Sequence, residues 1–383
     1  MGKLFAVLLN IGFLSTVVGK CTEKQAAQYF QTPVTEFGSE LLTRISDDTD
    51  YHFVVSTLSL WTLLASITFS AAEVTLEELE KVLRLDKQPP SCFNSKFYEF
   101  VRHLSGNHED VVFKRITSVF GDKTLLFRDS FRQQVETTGV TRLVEISFEN
   151  PDEVVATINE YLKSATKGVI DTIVKPADLN GAEVVFTDAL SFKGTWRYQF
   201  MTQYTLPSAF YDATGDRIGD VNLIYTKLEA NITDVPHMKC RVLELLYDNE
   251  RFSMLFILPN KGMSVQRVME NIKSFNLHSI LALFKLEIVI VRIPMFQITT
   301  DSDLRHSFMD MGLKSMFGVS ATFPGMTEAS FYVESIIVIP DSMIDRVRAE
   351  KMFEANRPFI FMVVDKQTEI VLFTGAYSKP TVF

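Results

Sequence analysis

Helix patterns crowd the first half of this chain and strand patterns the second, and this segregation limits the folds it can adopt. Leu58 to Phe69 (LSLWTLLASITF) is apolar nearly all round, so it predicts a helix buried on every side. Thr75-Leu76-Glu77-Glu78 reads as a capping box before Leu79, Val82, Leu83 and Leu85, which recur at helical spacing. Asp86 to Ser91 (DKQPPS) breaks that helix, and Asp152 to Ala165 predicts another, stopped near Gly168. Strand runs then dominate. Val111–Phe113 and Ile116–Phe120 come early, followed by Val184–Phe192, Arg241–Tyr247, Phe252–Leu258 and Ile288–Phe296. Pro259-Asn260-Lys261-Gly262 marks a turn, and Asp365-Lys366-Gln367 separates Phe359–Val364 from Ile370–Phe373 as a hairpin. Helices early and strands late favour an α+β arrangement over repeated βαβ units. No repeat, low-complexity tract or linker divides the 383 residues, so one large domain is expected.

The N-terminus has the charged, apolar, small order of a secretory signal: Lys3, then Leu4 to Val18, then Gly19. The apolar run falls short of the ~20 residues that span a bilayer. The expectation is a signal peptide over 1–19, a mature domain over 20–383, and a secreted extracellular monomer without a membrane anchor. A formal net charge of −9 argues against nucleic acid as a partner, because phosphate binding needs a basic face. Cys21, Cys92 and Cys240 allow one intramolecular disulfide at most, with the pairing open. Asn231-Ile232-Thr233 is a glycosylation sequon in a polar stretch ending at Pro236.

Signs of catalysis are missing. The chain has no HExxH, CxxC, Walker A sequence, GxGxxG after a strand or GxSxG, and Gly318-Val319-Ser320 lacks the second glycine of a nucleophile elbow. The six histidines are scattered, and His103 and His108 read as surface loop residues rather than a metal pair. Asp301 and Asp303 read as a loop capping the helix that begins near Leu304. No metal, cofactor or enzyme activity is expected.

Several segments, taken in order, resemble the serpin (serine protease inhibitor) family. Phe192-Lys193-Gly194-Thr195-Trp196 is similar to its strand-end motif, and Ser56-Thr57-Leu58-Ser59 to its Ser-Pro-Leu-Ser helix start, with Thr57 replacing proline. Leu245 to Leu258, Val291 to Phe296 and Phe323-Pro324-Gly325-Met326-Thr327 resemble further family segments. Ala355-Asn356-Arg357-Pro358-Phe359, with Phe373-Thr374-Gly375 and Lys379-Pro380-Thr381, resembles the C-terminal signature. The resemblance is strongest to insect secreted members of the accessory-gland kind. It implies a single domain of three β-sheets with about nine helices and an exposed reactive loop. In inhibitory members a protease cleaves that loop, which then enters the main sheet as a new strand and traps the acyl-enzyme. Asp188 stands where many members carry Asn, and Ser70 and Glu73 replace two usual glycines.

The loop departs from that pattern. Insertion needs roughly a dozen residues at about 3.3 Å each, small and uncharged in the proximal part. Here the interval from Tyr332-Val333 to Ala355-Asn356 is markedly shorter than in the family. The candidate loop is Asp341 to Met352 (DSMIDRVRAEKM), without an alanine-rich hinge. Alternation puts Asp341, Asp345 and Lys351 on one face and Arg346, Arg348 and Glu350 on the other, and burying unpaired charges costs several kcal/mol each. The expectation is a secreted scaffold or extracellular ligand without the trapping mechanism. The alternative is an inhibitor of trypsin-like proteases presenting Arg346 or Arg348, the positions nearest the family's scissile bond. The partner is then an extracellular trypsin-like protease or another secreted protein.

Overall fold

The computed structural model describes residues 23–86, 93, 96–101, 111–138, 141–165, 168, 174–179, 181–200, 204–298, 300, 304–318, 320–327, 333–337 and 351–380. The expected signal segment, Cys21, Cys92, His103, His108, Asp301, Asp303, Arg346 and Arg348 lie outside these residues. Cys240 is buried with its thiol unbonded, and burial pushes that thiol up to about 12.

Helix α1 (Glu23–Asp48) leads into the short strand β1 (Phe53–Val55) and then α2 (Thr57–Thr68). Every α2 residue except Ser66 is buried, as its all-round apolar sequence requires. Ser56 caps it, accepting from the Ser59 N–H at 3.1 Å while its own hydroxyl donates to the Leu372 carbonyl at 2.7 Å. Helix α3 (Glu73–Val82) corrects the capping-box reading. Its N-cap is Ala72, without a side-chain bond, and Thr75 and Glu78 lie inside the helix. Their oxygens serve a distant segment instead. Thr75 Oγ1 accepts from the Thr322 N–H at 3.0 Å, and Glu78 Oε2 accepts from the N–H groups of Lys314 and Ser315 at 2.8 and 2.7 Å. Capping chemistry is present, but it is spent on tertiary structure.

Residues 96–101 form α4, followed by β2 (Val111–Asp122), α5 (Asp129–Thr138), β3 (Thr141–Ile146), α6 (Pro151–Ala165) and β4 (Val184–Gly194). The two strand runs expected at 111–113 and 116–120 are one continuous strand. Then come β5 (Leu206–Tyr211), β6 (Arg217–Val235), β7 (Cys240–Leu246), β8 (Phe252–Pro259), α7 (Val265–Glu270), α8 (Leu277–Leu283) and β9 (Lys285–Pro294). The chain closes with α9 (Arg305–Met311), β10 (Val333–Ile337), β11 (Lys351–Glu354), β12 (Phe359–Asp365) and β13 (Ile370–Tyr377). Leu304 is the N-cap of α9, close to where the sequence placed the helix start, and the aspartates expected to cap it lie outside the described residues.

Two hydrogen-bonded sheets organise these elements, and the α+β single-domain expectation holds. One sheet has nine strands in the order β1-β13-β12-β8-β7-β6-β9-β11, with β5 on β6; the other has four, β10-β4-β2-β3. Among the described residues the hydrogen bonding makes two sheets, where the resemblance implied three. The nineteen-residue β6 pairs first with β5, then with β9, and finally with β7. Strands β8 and β12 are buried at every position, which explains their unbroken apolar sequence. On the four-stranded sheet, Phe120 and Val185 meet Val154, Ile158 and Leu162 of α6 in a second apolar cluster.

Candidate functional site

Among the described residues, the pairing of β10 with β4 covers only part of β4. Strand β10 runs parallel to β4, with Val333 opposite Val184, Ile336 opposite Phe186 and Ile337 opposite Thr187. Beyond Thr187, among the described residues, β4 pairs only with β2, through to Gly194 opposite Val111. The seven positions Asp188 to Gly194 therefore present one strand edge without a described neighbour. At the Ile337 level, Thr187 and Ser118 stand opposite each other across β4 and β2. Both are buried, and neither hydroxyl has a hydrogen-bond partner among the described residues.

The upper end of β4 is pinned to the other sheet. Trp196 bridges Tyr247 and stacks on its ring, centroids 4.4 Å apart and 13° from parallel, with Phe200 edge-on at 6.2 Å. The Arg197 N–H donates to the Leu246 carbonyl at 3.0 Å, and the Asp248 N–H to that of Thr195 at 2.8 Å. Gly194 is required by this clamp: a Cβ there would lie 2.5 Å from the Tyr247 ring. Full burial pushes the Tyr247 phenol well above its ordinary range. Trp196 thus anchors as a core residue. Its indole N–H has no partner among the described residues, and the ring lines a small cleft with Leu228, Leu245 and Leu286. Phe192 and Lys193 lie in β4 opposite Phe113 and Val112.

The C-terminal signature fixes the far side of the connection that leaves β10. Strand β11 runs parallel to β9, with Lys351 opposite Val289 and Glu354 opposite Arg292. Glu354 pairs with the Arg292 guanidinium at 3.3 Å. The Asn356 carbonyl accepts from the Tyr211 N–H at 2.9 Å. Arg357 donates from Nε and Nη2 to the Pro259 carbonyl at 3.0 and 2.7 Å, and burial lowers the pKa of its guanidinium. Phe359 is buried among Phe256, Phe296 and Tyr377, with centroids 5.9, 5.6 and 5.5 Å away. Asn356, Arg357 and Phe359 hold the fold around the connection's exit. The connection from Ile337 to Lys351 is thirteen residues long, and it contains Arg346 and Arg348.

Asn231 is placed unlike a loop sequon. It lies within β6, opposite Glu244 on one side and Leu286 on the other, and donates from Nδ2 to Glu244 Oε2 at 2.6 Å. Glu244 is buried and also accepts from Ser253 at 2.8 Å, with the Lys366 ammonium 3.1 Å away. A second buried carboxylate, Asp365, is held by Arg251 at 3.0 and 2.6 Å. Sequence reasoning missed both carboxylates. Their visible signal is a lone acid set in an apolar run, Val242-Leu243-Glu244-Leu245-Leu246 and Phe361-Met362-Val363-Val364-Asp365.

Among the described residues there is no group of three or more His, Cys, Asp or Glu able to hold a metal ion. No described helix is long and apolar enough to cross a membrane. Comparison with known proteins accounts for this geometry. A protein resembling this one over 99% of the chain is "Serine protease inhibitor 2" of Anopheles gambiae, 24% identical and matched over its whole length. The "Leukocyte elastase inhibitor" of Sus scrofa is 24% identical over 90% of this chain and 98% of its own. In fold, the chain is similar to the solved structure of Manduca sexta serpin-12, with a TM-score of 0.82, 23% identity, and coverage of 91% of this chain and 98% of that one. The family model described as "Serpin (serine protease inhibitor)" matches residues 32–380, and the chain belongs to the serpin family.

Proposed function

We propose that the protein meets a serine protease of trypsin-like specificity through the connection between β10 and β11, presenting Arg346 or Arg348 to its acidic specificity pocket. Family membership carries this reading. The named relatives are protease inhibitors, and both anchors of the connection, Ile337 on β10 and Lys351 on β11, are in register with their neighbours. The chain's role is that of a protein ligand for an enzyme, not a catalyst. The Lys3-to-Gly19 leader supports an extracellular setting.

One observation favours a second reading, in which the protein binds without trapping. If β10 continues in its present register, seven of the thirteen connecting residues are used in reaching the level of Gly194. Only six are left to cross to Lys351. A cut after Arg346 or Arg348 then frees two to four residues beyond that level, against the seven, about 23 Å, that a strand returning between β4 and the continued β10 needs to span the same stretch. The charges on both faces of the segment oppose burial as well. Such a protein would be cut as a substrate and act as a scaffold or ligand.

Incubation with trypsin separates the two. An SDS-stable adduct of the protease with the chain up to the cut arginine, the C-terminal fragment having left, supports inhibition by trapping. Clean cleavage between 341 and 352, with no rise in Tm, supports the scaffold. No cleavage at either arginine and no adduct would sink the protease-facing reading.

A further inference from the structure

Among the described residues of the segment that follows β13, two backbone N–H groups are held by a titratable side chain. His52 lies in the turn between α1 and β1, and its Nδ1 accepts the backbone N–H groups of Ser378 at 3.3 Å and Lys379 at 3.2 Å. Ser378 Oγ donates to the Asp50 carbonyl at 2.9 Å, and the Lys379 ammonium stands 3.5 Å from the Asp50 carboxylate. Pro380 lies flat on Gly219 of β6, where a Cβ would come within 2.4 Å of the proline ring. Ser378 and Lys379 also form one wall of a cavity of about 340 Å³, faced by Tyr51, Asp212, Met263 and Arg357.

We propose that His52 is a pH-operated latch: neutral, it holds Ser378–Pro380 against the α1–β1 turn, and protonated, it releases them and removes that wall of the cavity. A neutral imidazole protonated on Nε2 has one acceptor, Nδ1, and both backbone donors share it. A proton arriving on Nδ1 turns that acceptor into a donor facing two other donors. What remains cannot replace it. The Lys379–Asp50 pair is exposed on both sides and contributes little, which leaves the Ser378 hydroxyl bond and the proline contact.

The charged and titratable groups facing His52 are the Asp50 carboxylate, the Lys379 ammonium and the Tyr377 ring, which is tilted against it at 5.5 Å. Burial disfavours the imidazolium, Lys379 opposes it, and Asp50 favours it; the balance lowers the pKa of His52 below its ordinary value. The unfolded chain therefore takes up the proton first. The latch's contribution is complete above about pH 6.5 and is lost as pH falls below it. Acid opens the latch, and neutral pH closes it.

Amide hydrogen exchange on the full chain, corrected for intrinsic rates, reads this directly. Between about pH 7.5 and about pH 5, protection at Ser378 and Lys379 falls about tenfold or more, while β13 stays protected. His52→Gln keeps an acceptor that does not titrate, and its protection at these two amides stays flat. A flat wild-type profile overturns the latch, and so does an equal fall in the glutamine variant. Should that variant not fold, the wild-type profile decides alone, its midpoint on the acid side of the ordinary histidine value supporting the latch.

Discussion

The two sheets handle their edges differently. In the nine-stranded sheet β8 has β7 on one side and β12 on the other, and every residue of β8 and β12 is buried. In the four-stranded sheet, among the described residues, β4 has a partner on both sides only up to Thr187. The first sheet is a finished core, into which even acids are admitted with their own cations. In the second, the connection proposed to meet a protease leaves from β10, the strand beside β4.

The largest test of this contrast falls on the finished sheet. Asp365→Ala leaves the Arg251 guanidinium without its buried carboxylate and should cost about 3–5 kcal/mol, read as a lower denaturant midpoint. Stability unchanged by that substitution would mean the pair is not closed in solution. At the junction of the two sheets, Gly194→Ala forces the Tyr247 ring aside and should cost about 1–3 kcal/mol, with altered fluorescence from the stacked Trp196. An unaltered spectrum would show that the clamp gives way easily.

Acid should reach the four-stranded sheet through Asp122, at the end of β2. Burial raises its carboxyl pKa, but hydrogen bonds from Thr124 and the Phe148 N–H (2.7 Å) outweigh that, and the net shift is downward. A depressed carboxyl contributes stability above its unfolded value and loses it as pH falls. Asp122→Ala should therefore cost about 1–2 kcal/mol at neutral pH, and the gap from wild type should narrow below about pH 4. A gap constant with pH would assign the loss to packing. The smallest effect is a gain. Glu73 sits at φ 51°, where a non-glycine residue is strained, and Glu73→Gly should stabilise by about 0.5–1 kcal/mol in thermal melts.

Glu73 also shows what sequence could and could not reveal. Its departure from the family's glycine was legible, but the strain at that position was not. The buried helix at α2, the hairpin of β12 and β13 and the turn at Pro259–Gly262 were readable because local composition decides them. Thr75 and Glu78 misled because cap-forming side chains do not say whose N–H groups they will cap. The polar stretch around Asn231 did not reveal a strand, because a polar run between two partner strands has the same composition as one in solvent. Tyr247 could not be paired with Trp196 by spacing, since fifty-one positions of chain separate the two stacked rings.

The nineteen-residue β6 leaves this molecule little tolerance for partial misassembly. Three neighbours read their alignment from one continuous ribbon, and sliding it by a single position would turn its inward side chains outward against all of them together. A mistake made where β5 joins is therefore inherited where β7 joins, about thirteen residues along. Such a ribbon works as a shared ruler for the three strands that align on it.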